Sequence, residues 1–158
     1  EGSPVTPQEF IALIGPAAQV CAKKSGVPAS VTVAQAALES GWGESGLARK
    51  GKNLFGVKAD ASWKGDLLTM QTKEFLNGSW VVVTARWRKY SNWQRALDDH
   101  AAFLRNNKRY AGCFQCQSGV DFAQAVARAG YATDPQYADK LISIIEKHDL
   151  AQLDGEVA

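Results

Sequence analysis

Glu39 stands in "AALESGWGES" (residues 36–45), the acidic residue that closes an apolar run and precedes two glycines bracketing Trp42. A carboxylate in the last turn of a helix meets the partial negative charge of unpaired carbonyls, which favours its protonated form. Burial against Trp42 would act in the same direction. Both effects suit a general acid that keeps its proton near neutral pH. An exposed helix-end glutamate fits the same periodicity equally well. Glu74 is a second carboxylate, in "TKEFLNGSW", on what alternation makes the apolar side of a strand. Two carboxylates from different elements lining one cleft are what glycoside hydrolysis uses. One protonates the leaving oxygen, and the other assists water or stabilises positive charge. Spacing alone does not bring Glu39 and Glu74 together.

Aromatic residues supply a third group of candidates. Trp42, Trp63, Trp80, Trp87 and Trp93 are generous for this length, and most are expected in the core. "GYATDPQY" (residues 130–137) differs, because it displays Tyr131 and Tyr137 on a turn between two helices. A tyrosine hydroxyl there can orient a water or donate to a substrate carbonyl. His100 follows Asp98 and Asp99 in "DDHAAFL", but no nucleophile elbow accompanies them, so a buried-edge histidine is expected. "CFQC" carries Cys113 and Cys116, while Cys21, His100 and His148 lie at spacings unhelpful for zinc. The expectation is a local disulfide or two packed thiols, with Cys21 in the core. No motif requires a metal or cofactor.

These residues need elements to hold them. "TPQE" (residues 6–9) is a capping box that opens a helix through "FIALIGPAAQVCAKKSG", which Pro16 should kink or split and Gly26 should stop. Pro28 or Ser30 opens a second helix, ended by Gly41. "RKGKNLFGVKADASWKGD" reads as a long loop, with short turns at most. The period then changes, and residues 66–90 form a β-hairpin around Asn77-Gly78. That register pairs Phe75 with Trp80, Glu74 with Val81 and Thr72 with Val83. Glu74 thereby joins Leu68, Met70, Thr72, Val81, Val83 and Trp87 on one face. "SNWQ" (residues 91–94) caps a helix, "DFAQAVARAG" runs from an Asp121 cap to Gly130, and Asp134 with Pro135 opens the last helix. The fold expected is α+β and mainly helical, one domain over residues 1–158 with a small β-lobe at about 60–90.

The composition agrees with a globular chain: 158 residues, 46% hydrophobic and 22% charged. Its 18 basic and 16 acidic residues leave a net charge of +2, too balanced and scattered to argue for nucleic acid. No apolar run approaches the roughly 18–20 residues of a membrane span. The opening "EGSPVTPQEF" has the look of a trimmed fragment or mature domain.

Together "AQAALESGWGES", "KNLFGVKA", the "TKEF" strand before an Asn-Gly turn and "AGYATDPQYADKL" resemble glycoside hydrolase family 73. These are bacterial endo-β-N-acetylglucosaminidases that cut peptidoglycan, some joined to flagellar rod-assembly domains. The matches occur in order from about Thr6 to Leu150. The resemblance implies a lysozyme-like fold in which a helical lobe and a small β-hairpin lobe flank a cleft. It makes Glu39 the catalytic acid, Glu74 a second acidic residue on the β-lobe, and Tyr131 a residue that places the reacting sugar or water. It sets Trp42, Asn53, Phe55 and Tyr137 at the substrate. Peptidoglycan strands are the implied partner, with flagellar rod proteins reached through a domain absent here, and a periplasmic or exported location. A muramidase or lytic transglycosylase on the same fold, and a non-catalytic wall-binding module, are the competing readings.

Overall fold

The computed structural model describes residues 6–155, so the "EGSPV" start lies outside the described residues. Helix α1 (Pro7–Ser25) begins as the sequence dictates, with Thr6 Oγ1 accepting from the Glu9 amide at 3.0 Å and Gly26 closing it. Pro16 does not split it. The ring sits on the exposed side, as does Ala12, whose carbonyl loses its helical partner where it faces solvent. Helix α2 (Ala29–Ser40) is buried on every side from Ala29 to Ala37, which makes it the central helix of the core. It packs against α1, α5 (Gly119–Arg128), α6 (Tyr137–Lys147) and a carboxy-terminal 3-10 turn, Leu150–Asp154.

Helix α2 has no side-chain cap of its own, since Pro28 occupies the capping position. Asp154 replaces it: its carboxylate accepts from the Ser30 amide at 2.9 Å and the Ser30 hydroxyl at 2.6 Å. Gly119 must be glycine for this contact, because a Cβ there would lie 2.1 Å from Ser30 Oγ.

Within the stretch expected to be loop, Ser45 caps a short helix, α3 (Gly46–Gly51), accepting from the Ala48 amide at 3.1 Å. Six residues are too few for a periodicity to register. The hairpin follows as β1 (Asp66–Leu76) and β2 (Ser79–Lys89), in the register expected, including Phe75 with Trp80 and Glu74 with Val81. Asn77 and Gly78 have φ of 50° and 83°, the signs a two-residue type I′ turn requires. Leu68, Met70, Thr72, Glu74, Val83, Ala85 and Trp87 are the half-buried face, whereas Phe75, Trp80 and Val82 are exposed.

Two strands alone are marginally stable in water, so the hairpin depends on its base. Leu68 and Met70 lie over Gly51 and Gly46 of α3. Asn53 supplies the stitching: its amide nitrogen donates to the carbonyls of Val57 and Arg88, both at 2.9 Å, and its oxygen accepts from the Val57 amide at 3.0 Å. Arg88 then reaches Asp99 of α4 (Trp93–Asn106) at 2.8 Å, and the Tyr90 hydroxyl donates to the same carboxylate at 2.5 Å. Asn53→Ala removes three buried hydrogen bonds. The expected loss is about 2–3 kcal/mol, read in a thermal melt as a fall in Tm of roughly 5–10 °C.

Three helix starts differ from expectation. Asn92, not Ser91, caps α4, accepting from the Arg95 amide at 2.9 Å. Ser118 caps α5 in place of Asp121, whose amide it binds at 3.1 Å. Helix α6 begins at Tyr137, after a turn in which Asp134 accepts from the Gln136 amide at 2.8 Å. In α4 and α5 the capping side chain lies next to, or a turn before, the residue expected, because several Ser, Asn and Asp compete locally, whereas α6 has no side-chain cap. "CFQC" falls in a 3-10 helix, Lys108–Gln115, and the next residue. Cys21, Cys113 and Cys116 are free thiols, so the disulfide alternative is not formed.

Candidate active site

Helix α2 ends in three consecutive left-handed residues: Gly41 at φ 59°, Trp42 at 59° and Gly43 at 83°. The amides of Gly41 and Trp42 turn back onto the Ala37 carbonyl, and Ser40 Oγ bridges the Ala36 carbonyl and the Gly43 amide. Glu39 is thus held on the last turn of the most buried helix, where the core gives way to solvent.

It opens onto a groove of about 1070 Å³. Phe55, Phe103, Tyr110 and Tyr131 give this groove aromatic walls, and Asn106 and Asn107 give it polar edges. The surrounding protein removes enough water to raise the Glu39 carboxyl above the ordinary carboxylate range, although the side chain faces the groove. The Tyr137 hydroxyl, donating to Glu39 Oε2 at 3.3 Å, opposes that rise. Tyr137 is itself fixed by Gln35 Nε2 at 3.0 Å. Gln35 lies one turn before Glu39 on the same helix, so both reach the same side chain. The sequence reading passed over Gln35, although a lone amide among Val33, Ala34, Ala36 and Ala37 was a visible sign.

Tyr131 stacks on Tyr137, centroids 5.4 Å apart and planes 20° from parallel. Its hydroxyl meets His100 Nε2 at 2.8 Å, and burial raises its pKa. His100 is the buried histidine expected, 4% exposed, and burial pushes its pKa down to about 3. It meets neither Asp98, which pairs with Lys24 at 2.7 Å, nor Asp99, which is held by Arg88 and Tyr90.

The groove therefore brings together Glu39, Phe55 and Tyr131, with Tyr137 joined through Glu39. Three other candidates lie elsewhere. Trp42 turns its ring to Phe10 at 5.7 Å and His148 at 4.8 Å, and it does not line the groove. The left-handed backbone at Trp42 directs it there. Asn53 is 1% exposed with its amide engaged by backbone, which makes it a support of the hairpin, not a group open to substrate. Glu74 sits on the half-buried hairpin face expected, 3.6 Å from Lys58 Nζ, and does not line the groove. Among the described residues no cluster could hold a metal ion.

An exposed-side carboxyl lining an aromatic groove, its pKa raised by partial burial, on a helical body that carries a tethered hairpin, is the arrangement of a glycoside hydrolase. The comparisons with known proteins give the family. The model for glucosaminidases, described as mannosyl-glycoprotein endo-beta-N-acetylglucosaminidase, matches residues 15–150, and the chain belongs to that family. It is 42% identical to the peptidoglycan hydrolase FlgJ of Vibrio parahaemolyticus, over 90% of this chain and 47% of that protein. It is 43% identical to the exo-glucosaminidase LytG of Bacillus subtilis, over 93% of this chain and 53% of that one. The chain spans about half the length of these curated relatives. A C-terminally truncated glycoside hydrolase domain of Salmonella typhimurium FlgJ superposes with a TM-score of 0.80 at 41% identity, covering 91% of this chain and 98% of that truncated one.

Proposed function

We propose that the chain is an endo-β-N-acetylglucosaminidase of peptidoglycan, cleaving the β-1,4 bond between N-acetylglucosamine and N-acetylmuramic acid. Glu39 is the general acid that protonates the glycosidic oxygen. The observation that carries this reading is the Glu39 carboxyl itself, raised in pKa and open to an aromatic-walled groove. Phe103, half exposed, and Tyr131 offer apolar faces of the kind that stack on the C–H faces of sugar rings. Peptidoglycan lies outside the cytoplasmic membrane, so the reading includes a periplasmic or exported enzyme. The resemblance to hydrolases joined to flagellar rod-assembly domains favours action near the flagellar rod, and the FlgJ relative is named a peptidoglycan hydrolase. Mass spectrometry of digested peptidoglycan tests the bond. A reducing N-acetylglucosamine end is expected, and a reducing or anhydro muramic end would replace this reading by a muramidase or lytic transglycosylase. A wall zymogram without clearing would leave only a wall-binding module.

The name of the Bacillus subtilis relative favours one second reading, an exo mode. Endo cleavage shortens glycan strands early, whereas exo cleavage releases small fragments from strands whose mean length falls slowly. Sizing of early products separates the two.

The Tyr137 hydroxyl stabilises the ionised form of Glu39 and so lowers its pKa. In Tyr137→Phe that hydrogen bond is gone and the Glu39 pKa rises. The alkaline limb of the pH–rate profile, where the acid loses its proton, is expected to move to higher pH. An unmoved or acid-shifted limb would show that Tyr137 does not govern the proton on Glu39.

A further inference from the structure

His100 is a buried titratable group at the groove to which the proposed chemistry gives no task. Its ring lies flat on Phe55, centroids 3.8 Å apart and planes 7° from parallel, so the plane of its two nitrogens is fixed. Nε2 faces the Tyr131 hydroxyl at 2.8 Å. Nδ1 is buried and has no hydrogen-bond partner among the described residues.

A neutral imidazole carries its proton on one nitrogen only. With the proton on Nδ1, the protein would hold a buried N–H with no acceptor, a rarer defect than an unused lone pair. With the proton on Nε2, the ring donates to Tyr131 Oη. The Tyr131 hydroxyl then has its lone pair engaged from the protein side. Among the described residues that oxygen makes no other hydrogen bond, so its own proton has no acceptor except what enters the groove. The opposite tautomer would draw the tyrosine proton onto His100 and leave only an acceptor facing substrate.

We infer that His100 is a positioning residue that, as the Nε2–H tautomer held by Phe55, turns the Tyr131 hydroxyl into a hydrogen-bond donor aimed into the groove beside Glu39. This rests on the glycosidase reading for its rate consequence, but not for its tautomer. The group Tyr131 would meet is a hydrogen-bond acceptor of the bound glycan or the reacting water. The stack of Tyr131 on Tyr137, whose own hydroxyl binds Glu39, keeps that donor in register with the acid. The depressed pKa of His100 keeps the ring neutral across the working range, so the direction of donation does not invert with pH.

Two measurements test it. Nitrogen NMR of the imidazole in the wild-type protein is expected to show a non-titrating Nε2–H ring between pH 5 and 8. An Nδ1–H ring, or one that titrates there, overturns the inference whatever the activity. Kinetics on purified glycan strands form the second arm. His100→Phe keeps the flat contact with Phe55 and removes the donor. It is expected to lower kcat about tenfold with KM nearly unchanged, the rate equivalent of one misdirected hydrogen bond. His100→Gln, which restores a side-chain N–H, should recover part of that loss. In a Tyr131→Phe background His100→Phe should lower kcat no further. An equal loss in both backgrounds, or unchanged kcat in the single variant, places the effect of His100 elsewhere. If the wild-type enzyme leaves glycan strands intact, the function proposed above fails, and the NMR result still decides the tautomer.

Discussion

Glu39→Gln is expected to lower turnover of peptidoglycan by roughly 10³-fold, the usual contribution of a general acid at its optimum, with the fold unchanged. Glutamine keeps the volume of the side chain and an oxygen to accept from Tyr137, so the network through Gln35 survives. Stability should hold or rise slightly. A carboxyl whose pKa is raised on folding opposes the folded state above that pKa, and the amide removes this opposition. The two readouts are therefore expected to diverge: a collapse of kcat beside a Tm that does not fall. A variant with near wild-type turnover would end the assignment of Glu39 as acid. A fall in both would mean that the residue holds the helix end together.

Glu74→Gln is the second large effect, a loss of about 10–100-fold in kcat. Its basis differs. Glu74 occupies the inner face of the hairpin, paired with Lys58 and away from the groove that Glu39 lines. For its carboxylate to act on water, the hairpin must swing about the base that Asn53 and Arg88 hold. The anomeric configuration of the first product, read by NMR, decides between two roles. Inversion makes Glu74 the base for water. Retention makes the 2-acetamido group of the substrate the nucleophile, with Glu74 reduced to electrostatic support. Full activity in Glu74→Gln would remove it from the mechanism in either case.

What could be read from the sequence was local. The hairpin register follows from a period of two and an Asn-Gly pair, both contained within the strands they organise. The end of α2 at Ser40, one residue beyond Glu39, follows from Gly41. Tyr131 is visible as part of a turn between helices and Phe55 through the resemblance, whereas Tyr137, expected on that turn, is the buried first residue of α6. What escaped was set by distant partners. Trp42 looked like a neighbour of Glu39 because it is near in sequence, yet left-handed backbone turns it to α1 and His148. Asn53 looked like a substrate ligand, yet its partners are the backbone of Val57 and of Arg88 on the hairpin. His100 was correctly expected to be buried, but its partner Tyr131 lies 31 residues away, beyond any local pattern. The pairing of Glu74 with Lys58 joins a strand to a loop and was equally invisible.

The cap of α2 by Asp154 bears on the order in which the molecule is completed. The helix that carries Glu39 is closed at its amino end by a carboxylate 124 residues downstream. A chain emerging from the ribosome amino end first has α2 in hand long before that carboxylate exists. Until then the Ser30 amide has no side-chain acceptor, in a helix whose neighbours α5 and α6 also come late in the chain. The acid and its groove are thus set on an element whose amino end is closed only once Asp154 is in place.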